Sequence, residues 1–141
     1  MAEFTEVSLQ EVASLQNVIF TETPFPCNRG YVLHRAGSGV FDLRGSGTQC
    51  RARYKVSFGA NIAIPEGGTV GPISIALSLG GEALGSATAI VTPAAVEEFF
   101  NVYVSVFIEV PACCCASVSV KNTSGQSINV QNANLIIERV A

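Results

Sequence analysis

The stretch GPISIALSLGG, residues 71–81, decides the fold class of this chain. Isoleucine or leucine occupies every second position from Ile73 to Leu79, and serine or alanine stands between them. Successive side chains of a β-strand point to opposite faces, so this period of two predicts a strand with one bulky and one small face. The glycine pair that follows predicts a tight turn.

The same period recurs along the chain. NVYVSVFIEV (Asn101–Val110) alternates with substantial apolar character on both faces, which predicts a strand buried on each side. RARYKV (Arg51–Val56) places charges on one face only, which predicts a half-exposed strand. Turn signals such as AGSG, PEGG and NTSGQ mostly recur every 8–12 residues. This rhythm predicts an all-β, antiparallel sandwich of about ten strands.

Two segments are less regular. Residues 1–16 have apolar positions at mixed spacing, and they predict an N-terminal arm, either extended or briefly helical, before a domain spanning residues 17–141. TPAAVEEFF (Thr92–Phe100) predicts a helical turn, with Thr92 as N-cap and Pro93 at the first helical position.

The amino-acid composition predicts that part of the protein's apolar surface is covered by a partner. Of the 141 residues, 48% are hydrophobic and only 13% are charged, against roughly a quarter charged in an average globular domain. No window approaches the ~18 uninterrupted apolar residues of a membrane-spanning helix. We therefore expect a protein without a membrane span that covers apolar surface against copies of itself.

Charge is distributed unevenly, although the net charge is only −3. The window from Arg29 to Lys55 holds six of the eight basic residues and one acid, Asp42. It predicts either solvated strand faces or a basic surface that docks on an acidic neighbour. The window lacks interleaved aromatic residues for base stacking, so no nucleic-acid partner is expected.

Catalytic motifs are not recognisable. His34 is the only histidine and Asp42 the only aspartate, with no nucleophile motif beside them, and no glycine-rich phosphate loop occurs. We expect no enzyme activity, no catalytic residues and no cofactor.

Three of the five cysteines are adjacent, in PACCCASV (Pro111–Val118). Adjacent residues on a strand point to opposite faces, so Cys113, Cys114 and Cys115 are poorly arranged to bind one metal ion, and no metal is expected. Packing as small hydrophobic residues is favoured. A longer-range disulfide such as Cys27–Cys50, a bridge from Cys113 or Cys115, or a link between subunits stays open.

Two strings resemble a known family: GPISIALSLGGEALGSATAIV (Gly71–Val91) and VSVKNTSGQSINVQNANLIIERV (Val118–Val140). They are similar to the central hairpin and the C-terminal strand pair of the tumour necrosis factor-like and complement-head-like jelly rolls. In place of the family's usual turn before the penultimate strand, this chain has EVPACCCASV (Glu109–Val118). The resemblance implies a homotrimeric jelly roll whose threefold contact includes Tyr103 and Phe107.

The function expected is structural. The leading hypothesis is a trimeric protein of a phage virion surface, such as a capsid decoration or head-fibre protein. The alternatives are a bacterial spore or cell-surface protein of the exosporium type, and a head domain that binds a glycan or receptor. The N-terminus MAEFTEVSLQ has no signal-peptide features, so synthesis in the cytoplasm is expected before assembly into a larger particle.

Overall fold

The computed structural model describes residues 2–26, 31–45, 51–111 and 115–140 of the chain. These residues form eleven β-strands arranged in two antiparallel sheets. The strands are β1 Ala2–Glu6, β2 Gln10–Val12, β3 Glu22–Phe25, β4 Val32–His34, β5 Val40–Arg44, β6 Arg51–Ala63, β7 Ile73–Leu79, β8 Glu82–Val91, β9 Phe100–Pro111, β10 Cys115–Asn122 and β11 Ile128–Arg139.

One sheet has six strands in the order β3-β1-β11-β6-β9, with β2 also paired to β11, and the other has five in the order β4-β5-β10-β7-β8. From β3 onward the chain crosses repeatedly between the sheets, and the last two strands, β10 and β11, lie in different sheets. This connectivity is that of a jelly roll, and it confirms the predicted all-β sandwich.

The core lies between the two sheets and is made by the inward-facing half of each strand. Ile73, Ile75 and Leu77 of β7 are buried, as their period-2 pattern predicts. Phe41 of β5 lies between aromatic rings of two other segments, with its ring centroid 4.6 Å from Phe4 and 5.4 Å from Phe20. The two sheets are therefore joined by edge-to-face aromatic contacts.

The turn between β7 and β8 explains the glycine pair. Gly80 and Gly81 have φ of 63° and 86°, in the left-handed region that glycine adopts without steric penalty. Two consecutive positive φ angles are typical of the two-residue hairpin turns that match the twist of the flanking strands.

The N-terminal residues, predicted as an arm, form β1 and β2 of the six-stranded sheet. The register pairs Ala2 with Ile137 and Phe4 with Leu135. Ala2, Phe4 and Val12 are buried in the core. The extended alternative for this segment is therefore the one that the structure shows.

The helical turn predicted at Thr92–Phe100 is wrong. The segment contains bends and a turn but no helix, and Glu97 has a φ of 58°. The backbone N–H of Glu97 donates to the Ile64 carbonyl at 2.7 Å. The segment is thus tied to the end of β6 by a tertiary hydrogen bond, which overrides the local capping signal.

The burial predicted for both faces of β9 is also wrong within a single chain. β9 is an edge strand that pairs with β6 among the described strands. Val102, Val104, Ile108 and Val110 face the core, whereas the alternate residues lie on the outside of the sheet.

Among the described residues, no helix is long and apolar enough to cross a membrane.

Candidate functional site

Tyr103 and Phe107, the residues predicted to contact other subunits, lie on the outer face of β9. Tyr103 is 63% exposed and Phe107 is 62% exposed. The strand alternation that buries their neighbours turns both rings away from the core. The structure thus presents two large aromatic side chains to solvent near one edge of the six-stranded sheet.

Small residues of β6 lie beside the Tyr103 ring, whereas Lys55 of β6 pairs with Phe107. The register pairs Tyr103 with Gly59, so no β6 side chain stands opposite the phenol ring. Ser57 pairs with Ser105, and their hydroxyl oxygens are 3.2 Å apart. Hydrogen bonds from the Ser57 hydroxyl and then the Ser105 hydroxyl lower the pKa of Tyr103 from its ordinary value, and the positive charge of Lys55 acts in the same direction.

The apolar character of this face extends across the sheet to its opposite edge. Ile136 of β11 pairs with Ser57 on one side and with Glu3 on the other, and Glu3 pairs with Phe25 of the edge strand β3. Phe25 is 61% exposed, and Val7, just beyond the end of β1, is also exposed. We call the outer surface formed by Val7, Phe25, Tyr103, Phe107 and Ile136 the open face.

Polar groups border the open face at both ends of the strands. At one end, an Arg53 guanidinium nitrogen of β6 lies 2.8 Å from a Glu109 carboxylate oxygen of β9. At the other end, the Asn101 amide donates to Asn61 and the Asn61 amide donates to Asn132, each at 3.2 Å. A polar rim is usual in protein–protein interfaces, but Lys55, opposite Phe107, and Glu3, opposite Ile136, also lie inside it.

The outer face of the five-stranded sheet has a different chemistry. Ser117 donates its hydroxyl proton to Asp42, and the hydroxyls of Ser78 and Ser119 bond to each other. The Lys121 ammonium donates to the Gly81 carbonyl at 3.0 Å. We call this surface the serine face; Ser78 and Ser119 are themselves buried, and Ile90, which pairs with Ser74 on this face, is 68% exposed.

Sequence reasoning found Tyr103 and Phe107 but missed Val7 and Phe25. The signal for Val7 was present in AEFTEV (Ala2–Val7), where Ala2 and Phe4 alternate with Glu3, Thr5 and Val7. Phe25 lies in ETPF (Glu22–Phe25), a segment with too few residues to show a period. Only the pairing of β3 with β1 places Phe25 on the open face.

The predicted cysteine arrangement falls mostly outside the described residues. Cys27, Cys50, Cys113 and Cys114 lie in the parts that the structure does not describe. Cys115 begins β10, pairs with Arg44 of β5 and is exposed. Cys115 is thus exposed in the single chain, and whether it is packed or bridged in the assembly stays a prediction.

Ser38, His34 and Asp42 lie in one cleft, but they do not form a catalytic relay. The His34 ring nitrogen Nε2 donates to the backbone carbonyl of Ser38 at 2.9 Å, because a carbonyl can only accept. The Ser38 hydroxyl oxygen accepts from the Val40 N–H, and Asp42 accepts from Ser117. None of these hydrogen bonds joins the serine to the histidine side chain or the histidine to the aspartate side chain, as a catalytic triad requires.

Metal ligands are similarly dispersed in the described part of the chain. Residues 2–26, 31–45, 51–111 and 115–140 contain no group of three histidine, cysteine, aspartate or glutamate side chains placed to hold one ion. The open face is accordingly the candidate functional site.

No protein-family model and no curated protein matches the sequence. Solved structures do match it. The Eiger TNF of S. frugiperda is 14% identical with a TM-score of 0.71, covering 99% of this chain and 91% of that one.

Two further structures cover nearly the whole chain. The globular domain of zebrafish complement 1qA protein is 13% identical with a TM-score of 0.54, covering 96% of this chain and 94% of its own. The PRD1 vertex protein P5 is 12% identical with a TM-score of 0.52, covering 99% of this chain and 96% of its own. At these identities the likeness shows the fold alone: this chain has a TNF-like jelly-roll fold.

Proposed function

We propose that the chain is a non-catalytic structural protein that assembles into a homotrimer through its open face. The observation that carries this proposal is the exposure of large aromatic rings on one outer surface of the sandwich. The open face exposes three aromatic side chains, Phe25, Tyr103 and Phe107, each by more than 60%. The serine face exposes the aliphatic side chains Leu33, Val40 and Ile90 beside polar groups such as Asp42 and Lys121.

The exposed rings explain why association is favourable. Apolar surface transferred from water contributes roughly 25 cal/mol per Å², and a Phe or Tyr side chain buries about 150–250 Å². Phe25 on β3 and the pair Tyr103 and Phe107 on β9 lie at opposite edges of the sheet, so this face of the 14.7 kDa chain offers two apolar patches for contact. The polar rim at Arg53–Glu109 and Asn101–Asn61 limits how far the contact extends and fixes its orientation.

The fold supports a threefold arrangement, because the structural neighbours include tumour necrosis factor and complement-head domains. A cyclic trimer uses a heterologous contact, in which two different patches of the chain meet around the axis. A ring closed through the open face would cover Tyr103 and Phe107 in each protomer and leave the serine face outside.

We further propose that the trimer works on the outside of a virus particle. The likeness of fold to the PRD1 vertex protein supports this location. A spore or cell-surface particle is the alternative that the test must distinguish.

Sedimentation equilibrium tests the assembly. The expected mass is three times 14.7 kDa, and a monomer at about 100 µM, a concentration that saturates even micromolar contacts, would overturn the homotrimer. Immunogold labelling with antibodies against the purified chain tests the location. Label on virions supports the virus role, and label confined to spores or cell envelopes contradicts it.

A further inference from the structure

A cleft of about 480 Å³ opens on the serine face at the β4–β5 hairpin. Its lining residues are Leu33, His34, Arg35, Ser38, Val40 and Asp42. The cleft thus contains the chain's single histidine and single aspartate. Its volume lies in the range of about 300–1,000 Å³ that small-molecule sites occupy.

The hairpin that forms the cleft is held to the body of the sandwich. The Gly37 N–H donates to the Phe20 carbonyl at 2.9 Å, and the Ser38 N–H donates to the Arg35 carbonyl at 2.9 Å. The His34 ring stacks on Phe41 with ring centroids 4.3 Å apart and an interplanar angle of 10°. These contacts fix the shape of the cleft before a ligand arrives, which lowers the ordering cost of binding.

Two opposite charges stand in the cleft without neutralising each other. Within the described part of the chain, Arg35 and Asp42 form no ion pair, with each other or with another side chain. Ser117 donates to Oδ1 of Asp42 at 3.0 Å, which orients the carboxylate and leaves Oδ2 as an acceptor. The cleft therefore offers both an acceptor and a guanidinium donor, with opposite charges that favour a neutral ligand.

The remaining lining residues add a hydroxyl donor and two apolar side chains to the cleft. The Ser38 hydroxyl oxygen accepts from the Val40 N–H, so its own proton is available to a ligand. Leu33 and Val40 are 38% and 42% exposed at the cleft. They can pack against the C–H face of a sugar ring while the polar groups bind its hydroxyls.

We propose that this cleft binds a neutral saccharide. A sugar ring presents hydroxyl donors, hydroxyl acceptors and an apolar C–H face on one rigid body, which matches the lining of the cleft group by group. The cleft lies on the serine face, so it stays open when the open face is covered. The inference goes beyond the proposed structural role and does not depend on it.

Chemical-shift mapping of the ¹⁵N-labelled wild-type chain tests the site. The probes are the neutral methyl glycosides of glucose, mannose and galactose together with N-acetylglucosamine and N-acetylgalactosamine. Each is added to about 20 mM, above the millimolar dissociation constants at the weak end of the affinity scale. Shifts centred on Leu33, Val40 and Asp42 are expected for at least one probe. No shift at these amides with any probe, or shifts centred elsewhere, would overturn the proposal.

Two variants and two controls sharpen the test. Asp42→Ala and Arg35→Ala should each weaken binding roughly tenfold or more, because each removes charged hydrogen bonds to the ligand. Glu66→Ala, in a separate polar cleft with Glu11 and Gln126, should bind as the wild type does. Sialic acid and free arginine serve as charged probes. If either binds at these amides while the neutral sugars do not, the saccharide assignment is wrong.

Discussion

The substitution Phe107→Ala should weaken the trimer without unfolding the protomer. Phe107 is 62% exposed in the single chain, so little of its ring supports the core. Sixty per cent of a side chain that can bury about 200 Å² is about 120 Å², or about 3 kcal/mol at roughly 25 cal/mol per Å². Because alanine retains part of this area, the loss is about 2 kcal/mol per protomer, or about 6 kcal/mol per trimer.

Sedimentation over a dilution series measures this loss. The concentration at which half of the chains are trimeric varies as the inverse square root of the trimer association constant. A loss of about 6 kcal/mol therefore raises that concentration roughly a hundredfold. Circular dichroism should show an unchanged β-sheet spectrum for the dissociated variant.

The matched control is Leu33→Ala on the serine face, where Leu33 is 38% exposed. This change should leave the trimer dissociation midpoint unchanged, because the serine face is not covered. If Phe107→Ala and Tyr103→Ala together leave the midpoint where the wild type has it, the open face is not the contact and the reasoning is refuted.

Three further outcomes follow from the structure. The trimer should dissociate as the pH rises past the pKa of Tyr103 in the free protomer, which is lowered from its ordinary value. The reason is that burial in the contact disfavours the charged phenolate, which the free protomer can form. Tyr103→Phe should remove this pH dependence in sedimentation. Asn122→Ala should lower the free energy of unfolding in urea by about 3 kcal/mol, because the buried Asn122 amide donates to two backbone carbonyls and accepts from the Ser124 N–H, all at 2.9 Å. A loss below about 0.5 kcal/mol, the usual size for a surface change, would contradict this role. Gly81→Ala should lower the free energy of unfolding by about 1–2 kcal/mol in the same assay, because Gly81 has a φ of 86°. Gly85→Ala should leave that free energy unchanged, because Gly85 has open space around it and no positive φ. Equal effects of the two substitutions would exclude backbone strain as the cause.

Strand identity was predictable from local pattern. In β7 and in Arg51–Val56 of β6, the alternation of side chains identified the element and, for the described side chains, its buried face. The pattern works because a strand's side-chain period is fixed by the backbone and does not depend on distant partners. The same period placed Tyr103 and Phe107 on one face of β9, but it did not predict that this face is exposed in the single chain.

Local pattern failed where distant residues decide the outcome. The capping signal at Thr92 was overridden by the bond from the Glu97 N–H to the Ile64 carbonyl. The β9 pattern predicted burial on both sides, yet a single chain supplies a covering layer on one side only. A period of two reports which residues share a face, but not what lies opposite that face.

The sequence by itself therefore determined the class of fold and most strand positions, and it predicted an apolar contact between copies of the chain. Only the tertiary structure decided which surface stays open and which residues meet on it. Phe25 and Phe107 are separated by most of the chain, and strand pairing brings them onto one sheet face. Likewise, Arg35 and Asp42 line one cleft because the β4–β5 hairpin folds back on itself. Register and sheet order are global properties of the packed chain, so neither surface could be assembled from local sequence alone.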